Sequence, residues 1–107
     1  MGTLLIAWRY VVRREHADDF LAAYRPDGAW ARLFRQSADY LGTDLLQEVA
    51  DATAYMTIDR WASAMARRDF LAAHAADYAA LDARCAAFTS TETLVGEFVP
   101  EAAPRAD

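Results

Sequence analysis

Apolar and polar residues alternate from Leu4 to Val12: Ile6, Trp8, Tyr10 and Val12 share one face, and Ala7, Arg9 and Val11 share the other. Period two of this kind predicts a strand packed on its aromatic side. From Glu15 the period lengthens, and Ala17, Phe20, Leu21 and Tyr24 form a helical stripe with Asp18 and Asp19 near its positive end. Pro26 stops that helix, and Asp27 is placed to cap a short second one carrying Trp30, Leu33 and Phe34. Tyr40 to Val49 reads as a second strand, joined by the polar link Ala50 to Thr53 to a third, Ala54 to Trp61, as a hairpin. In the third strand the alternation predicts a packed face carrying Met56 and Ile58 and a polar face carrying Thr57 and Asp59. Ser63 then caps an alanine-rich helical run with a break near His74, ending at about Phe88. His74, Tyr78, Leu81, Cys85 and Phe88 fall on one stripe of that run. Thr89 to Val99 gives a fourth strand, with Leu94 and Phe98 set against Thr93, Val95 and Glu97.

Each half of the chain is therefore strand, helix, strand. The order β-α-β-β-α-β predicts an α+β, ferredoxin-like sandwich with an antiparallel four-stranded sheet. We expect one domain over 1–107, with its core at 4–99 and a tail, 100–107, that is loose or laid over a partner subunit. Both long helices cover one sheet face, which leaves the other open. Its mixture of apolar and chargeable residues suits a sheet packed against its twin, with Arg9 pairing with Asp59 or Glu97 on the dimer face. The expected partner is thus a second copy of the chain, held through facing sheets.

Composition narrows the function classes. The net charge of -5 disfavours nucleic acid and anionic membranes as partners. No run of about 18 apolar residues predicts a membrane span, and no basic, apolar leader is visible at the start. All eleven basic residues are arginine, so lysine Schiff-base chemistry is excluded. The chain also contains no asparagine. Cys85 is the single cysteine, which fits a small buried hydrophobe and a reducing cytoplasm. His16 and His74 lie on different helices without carboxylate partners at ligand spacing, so no metal site is expected.

A pocket is expected between the helices and the covered sheet face, with Trp8, Tyr10, Tyr24, Trp30, Phe34, Met56, Phe70 and Tyr78 as candidate lining residues. Their aromatic stripe is equally the composition of a core. His74 is the candidate catalytic residue, because histidine as a class suits general-base work on a phenol. The alternative is a core histidine bonded to a backbone carbonyl or to Asp77.

Four segments carry a family resemblance: Ile6-Ala-Trp-Arg-Tyr10, the stretch Tyr24 to Phe34, the hairpin strand Tyr40 to Leu46, and Tyr55-Met-Thr-Ile-Asp-Arg-Trp-Ala-Ser63. Together they resemble the antibiotic biosynthesis monooxygenase family of dimeric α/β barrels, over nearly the whole chain. The resemblance implies a homodimer, a small aromatic or phenolic ligand, and cofactor-independent monooxygenase activity with no metal and no tightly held cofactor. The haem-degrading branch uses an asparagine, a tryptophan and a histidine where this chain has Trp8, Phe70 and Ala80. The quinone-forming branch relies on an asparagine, a tryptophan and an arginine; Trp61 stands where that tryptophan would be, although it can also plug the seam between helix and sheet. The alternative function is a non-catalytic, small-molecule-binding or stress-associated dimer with the same pocket.

Overall fold

A computed structural model describes residues 2–101. The predicted tail beyond Glu101 lies outside the described residues. Strands β1 (Leu4–Val12), β2 (Tyr40–Gln47), β3 (Ala54–Trp61) and β4 (Thr89–Phe98) form one antiparallel sheet in the order β2-β3-β1-β4. Helices α1 (Ala17–Tyr24) and α2 (Ala29–Phe34) fill the first crossover, and α3 (Ala64–Ala73) and α4 (Ala75–Cys85) fill the second. This is the ferredoxin-like α+β sandwich that the alternating halves predict.

Local chemistry explains the helix ends. The Ser63 hydroxyl accepts from the Ala66 N–H at 3.0 Å, which satisfies one of the free donors at the start of α3. His74 closes α3 and opens α4 with φ -118° and ψ 28°, outside the helical region, so the predicted break falls on that residue. Helix α2 differs from the expectation: Gly28, and not Asp27, occupies its cap position, with no side-chain hydrogen bond there. A Cβ at Gly28 would lie 2.7 Å from the carbonyl oxygens of Ala22 and Ala23, so α2 starts pressed against the end of α1 where only glycine fits.

The core has two clusters between helices and sheet. Leu4, Ile6, Phe34, Tyr40, Trp61 and Phe70 form one. Tyr10, Val12, Phe20, Tyr24, Leu81 and Cys85 form the other. Trp8, Trp30 and Leu33 touch both and join them. Trp61 is only 1% exposed, and its ring lies 5.3–5.4 Å from those of Phe34, Tyr40 and Phe70. Burying an aromatic or aliphatic side chain of this kind stabilises by roughly 1.5–3 kcal/mol, so these rings hold the layers together.

The strand register corrects the sequence reading of β3. Leu4, Ile6, Trp8 and Tyr10 of β1 stand opposite Trp61, Asp59, Thr57 and Tyr55. Directly opposed residues share a face, so Thr57 and Asp59 lie under the helices, and Met56 and Ile58 lie on the open side. A slip of one position exchanges the faces completely. Thr57 is accordingly buried.

Strand β2 carries a second irregularity. Tyr40 pairs with Trp61 and Thr43 with Asp59, with a register shift between Tyr40 and Gly42. Residues three apart normally face opposite ways in a strand; the extra residue of the bulge turns both Tyr40 and Thr43 inward. Gly42 has φ +130°, which side-chain-bearing residues rarely adopt. Gly42→Ala is expected to lose about 1–3 kcal/mol of stability, seen as a lower midpoint at unchanged slope in urea denaturation. A midpoint equal to that of the wild type would show that the bulge tolerates a Cβ.

Candidate functional site

The two core clusters leave a cleft above the middle of the sheet. Trp8 and Tyr10 of β1, Thr43 of β2, and Thr57 and Asp59 of β3 form its floor. Tyr24, Arg25, Trp30, Ala31 and Phe34 form one wall; Tyr78 and Asp82 of α4 and Glu92 of β4 form the other. The free volume is about 40 Å³. A dry cavity that takes up benzene measures roughly 150 Å³, so an aromatic ring enters here only when wall side chains turn outward.

Asp59 is the distinctive group in this cleft. Its Oδ1 accepts a 2.6 Å hydrogen bond from the Thr43 hydroxyl. The Thr43 hydroxyl oxygen is itself in a short hydrogen bond with the Tyr40 hydroxyl. No arginine or histidine among the described residues lies within ion-pair distance of Asp59. Burial pushes the Asp59 carboxyl above the usual carboxylate range, against smaller lowering effects from Thr43, Arg67 and Arg60. A desolvated carboxyl among aromatic walls is the arrangement that brings a general base toward neutral pH.

The rest of the cleft reinforces this polarity. Burial raises the Tyr10, Tyr24 and Tyr78 hydroxyls, so all three stay protonated at neutral pH. Glu92 is also raised, first by burial and then by the neighbouring Asp82 charge. Trp30 Nε1 is a buried donor with no hydrogen-bond partner among the described residues. The Tyr24 hydroxyl and the Cys85 thiol lie beside it, and its N–H lowers the proton affinity of both.

Six of the residues expected to surround a pocket do meet here: Trp8, Tyr10, Tyr24, Trp30, Phe34 and Tyr78. Two do not. Met56 points to the open sheet face beside Arg9, because it stands opposite Arg9 in the register. Phe70 is sealed behind the cleft against Trp61 and Phe34.

His74 is not a lining residue of the cleft. It sits at the junction of α3 and α4, stacked on Phe70 at 4.4 Å, with Nδ1 3.8 Å from Asp77. It is half-buried there and, among the described residues, makes no side-chain hydrogen bond, either to a backbone carbonyl or to Asp77. The dimer-face assignments change as well. Arg9 pairs with Glu48 at 2.6 Å, Asp59 faces the helices, and Glu97 stands opposite Ile6 on the helix side of β4.

Sequence reasoning missed Asp59 and Thr43 as cleft residues. The signal was present in parity: Tyr55, Thr57, Asp59 and Trp61 alternate in phase, and a tryptophan that seals the helix-sheet seam fixes Asp59 on the same side.

No protein-family model matches the sequence, and no curated protein sequence matches it. Solved structures do. SnoaB of Streptomyces nogalater, a cofactor-independent oxygenase, superposes with a TM-score of 0.72 at 19% identity, over 96% of this chain and 97% of its own. A structure described as an antibiotic biosynthesis monooxygenase gives a TM-score of 0.67 at 20% identity, over 94% and 99%. A protein of Pseudomonas aeruginosa gives 0.73 at 17% identity, over 95% and 97%. The fold is that of the antibiotic biosynthesis monooxygenases. At these identities the likeness establishes the monooxygenase fold alone, and a function for this chain must come from its own cleft. Among the described residues no group of histidine, cysteine or carboxylate side chains could hold a metal ion. No described helix is long and apolar enough to cross a membrane.

The Asp59 carboxyl gives a stability test with a definite sign. Its folded pKa lies above the ordinary value of 3.8, so the folded state holds its proton more tightly than the unfolded chain. The associated stability is fully present below the unfolded value and is lost as pH rises through the folded one. Asp59→Asn removes that titration and keeps an acceptor for Thr43. Its thermal midpoint is expected to match the wild type in acid, below the ordinary carboxylate value, and to exceed it once pH has risen through the raised Asp59 value. A gap that narrows with rising pH would contradict the burial of this carboxyl.

Proposed function

We propose that the protein is a cofactor-independent monooxygenase of a small aromatic or phenolic compound, with Asp59 as general base. The observation that carries this reading is the partly buried, cation-free carboxyl on the floor of an aromatic-walled cleft. Likeness in fold to SnoaB, a cofactor-independent oxygenase, supports it. Asp59 takes the phenolic proton, and the electrons of the phenolate pass into the ring. The electron-rich carbon, a CH₂ in the simplest case, reduces dioxygen. A C–O bond forms and the O–O bond breaks. One oxygen stays as a carbonyl and the other leaves as water with two hydrogens, so CH₂ plus O₂ gives C=O plus H₂O. The substrate carbon supplies all four electrons that dioxygen takes up, two for the inserted oxygen and two for the oxygen that leaves as water. Tyr10, Tyr24 and Tyr78 stack around the ring as neutral phenols.

The small free volume favours one second reading, a non-catalytic dimer that holds a compact ligand in the same cleft. Dioxygen uptake with a panel of phenols bearing a reactive CH₂ separates the two. The oxygenase consumes one O₂ per substrate, with a rate that rises with pH through the raised Asp59 ionisation. Asp59→Asn is expected to lower kcat by about 10²–10⁴-fold, the usual contribution of a positioned base. His74→Ala is expected to leave kcat unchanged. Binding without uptake supports the second reading, and full activity in the Asp59 variant removes the residue from the mechanism.

The same proposal includes a homodimer through facing sheets. The open face carries Leu5, Ala7, Val11, Met56 and Ile58, with Leu46 and Phe98 about half exposed at 48% and 50%. Its charges are already matched within the chain, Arg9 with Glu48 and Arg60 with Asp44 at 2.7 Å. An apolar face with internally paired charges suits burial against its own copy. Sedimentation at micromolar concentration is expected to show a dimer for the wild type and a monomer for Ile58→Arg. A wild-type monomer would defeat the assembly.

A further inference from the structure

We propose that Thr43 and Tyr40 are positioning residues for Asp59, a hydrogen-bond relay fixed by the β2 bulge that holds the carboxylate with one oxygen free toward the cleft. The inference rests on the role of Asp59 as base and goes beyond it to residues that touch no substrate.

The direction of the relay follows from donor counting. Thr43 gives its hydroxyl proton to Asp59 Oδ1, so its oxygen can only accept from Tyr40. Tyr40 has no other side-chain hydrogen bond among the described residues, so its proton is committed to Thr43. Tyr40 therefore donates to Thr43 and Thr43 to the carboxylate, and the relay as built favours the anion. Asp59 Oδ2 has no protein partner among the described residues, yet it is not sealed, because the fully buried side-chain atom left unpaired there is Trp30 Nε1. The free oxygen of a cleft-lining carboxylate is the one that meets a ligand proton.

Two opposing effects then act on one group. Burial disfavours the charge, and the relay favours it. Burial makes Asp59 the stronger base but a smaller fraction of it ionised; the relay restores part of the ionised fraction. A carboxylate balanced between the two is what proton abstraction near neutral pH requires. The bulge is what makes this balance available, since without the extra residue Tyr40 would face away from Thr43.

The ionisable groups on the helix side that act on Asp59 are Tyr10 of β1, Tyr40 of β2, Arg67 of α3 and Tyr78 of α4, with Arg25, Asp82 and Glu92 also lining the cleft and Arg60 acting from the opposite face. Burial raises the three phenols further above their ordinary value, so they stay neutral while Asp59 ionises. Glu92 shares the cleft and titrates as a separate carboxyl.

The test follows the Asp59 carboxyl by carbon-13 NMR across pH in the full chain, with activity as an independent arm. Thr43→Val keeps the shape and removes the donor. It is expected to raise the Asp59 proton affinity about tenfold, the size of a hydrogen bond to a charged group. Thr43→Ser restores it to within about twofold. Tyr40→Phe moves it in the same direction by a smaller factor, because Thr43 still donates but is no longer polarised from behind. A valine variant that ionises where the wild type does, or a serine variant that fails to restore, overturns the relay. Should the valine variant not fold, the phenylalanine variant decides, and an unshifted titration there overturns the proposal. The two arms separate the claims. A shifted titration in a protein that never consumes dioxygen keeps the relay and removes the oxygenase. Turnover whose pH limb is unmoved by Thr43→Val keeps the oxygenase and removes the relay.

Discussion

Everything distinctive about this molecule depends on which way β3 faces. The pairing of Leu4 with Trp61 and of Trp8 with Thr57 fixes the phase, and the phase brings one acidic and one hydroxyl side chain under the helices. Trp61 is the anchor of that choice. Its nearly complete burial among Phe34, Tyr40 and Phe70 gives the strand a large free-energy reason not to slip. A slip would place Met56 and Ile58 inside and leave a conventional apolar core with no polar floor. The cleft is therefore a consequence of packing at the end of the strand, two residues from the carboxyl it places.

Much of the architecture was legible in the sequence. The alternation in β1, the Ser63 cap, the break at His74 and the aromatic walls all follow from local pattern, because each is set by neighbours in the chain. The facing of β3 was not, because both sides of this strand are chemically mixed. Hydropathy alone sends Met56 and Ile58 inward, whereas the open face is itself apolar. The bulge in β2 was invisible for a related reason: Leu41-Gly42 gives no alternation break, and only the pairing with β3 shows that Tyr40 and Thr43 share a side. His74 stood out because a histidine on an apolar stripe looks purposeful. Its stacking on Phe70 explains the stripe without any chemistry.

The polar floor also shows how stability and chemistry oppose each other in a small fold. A chain of this size has one modest core, and a desolvated carboxyl weakens it whenever it is charged. The hydroxyls of Thr43 and Tyr40 reduce that cost without adding a cation. The arginines nearest Asp59 stay outside ion-pair distance; Arg60 is occupied by Asp44 on the opposite side of the sheet. The arrangement keeps the carboxyl desolvated and without a cation at the expense of the fold.

The placement of the three tryptophans has an optical consequence. Trp8 and Trp30 border the cleft, whereas Trp61 is closed off behind it by Phe34, Tyr40 and Phe70. Two indoles are thus exposed to whatever occupies the site, and the third senses only the integrity of the core. A quencher entering the cleft would meet the first two indoles before the third, so emission could report on the cleft and on the core of the same chain without a label.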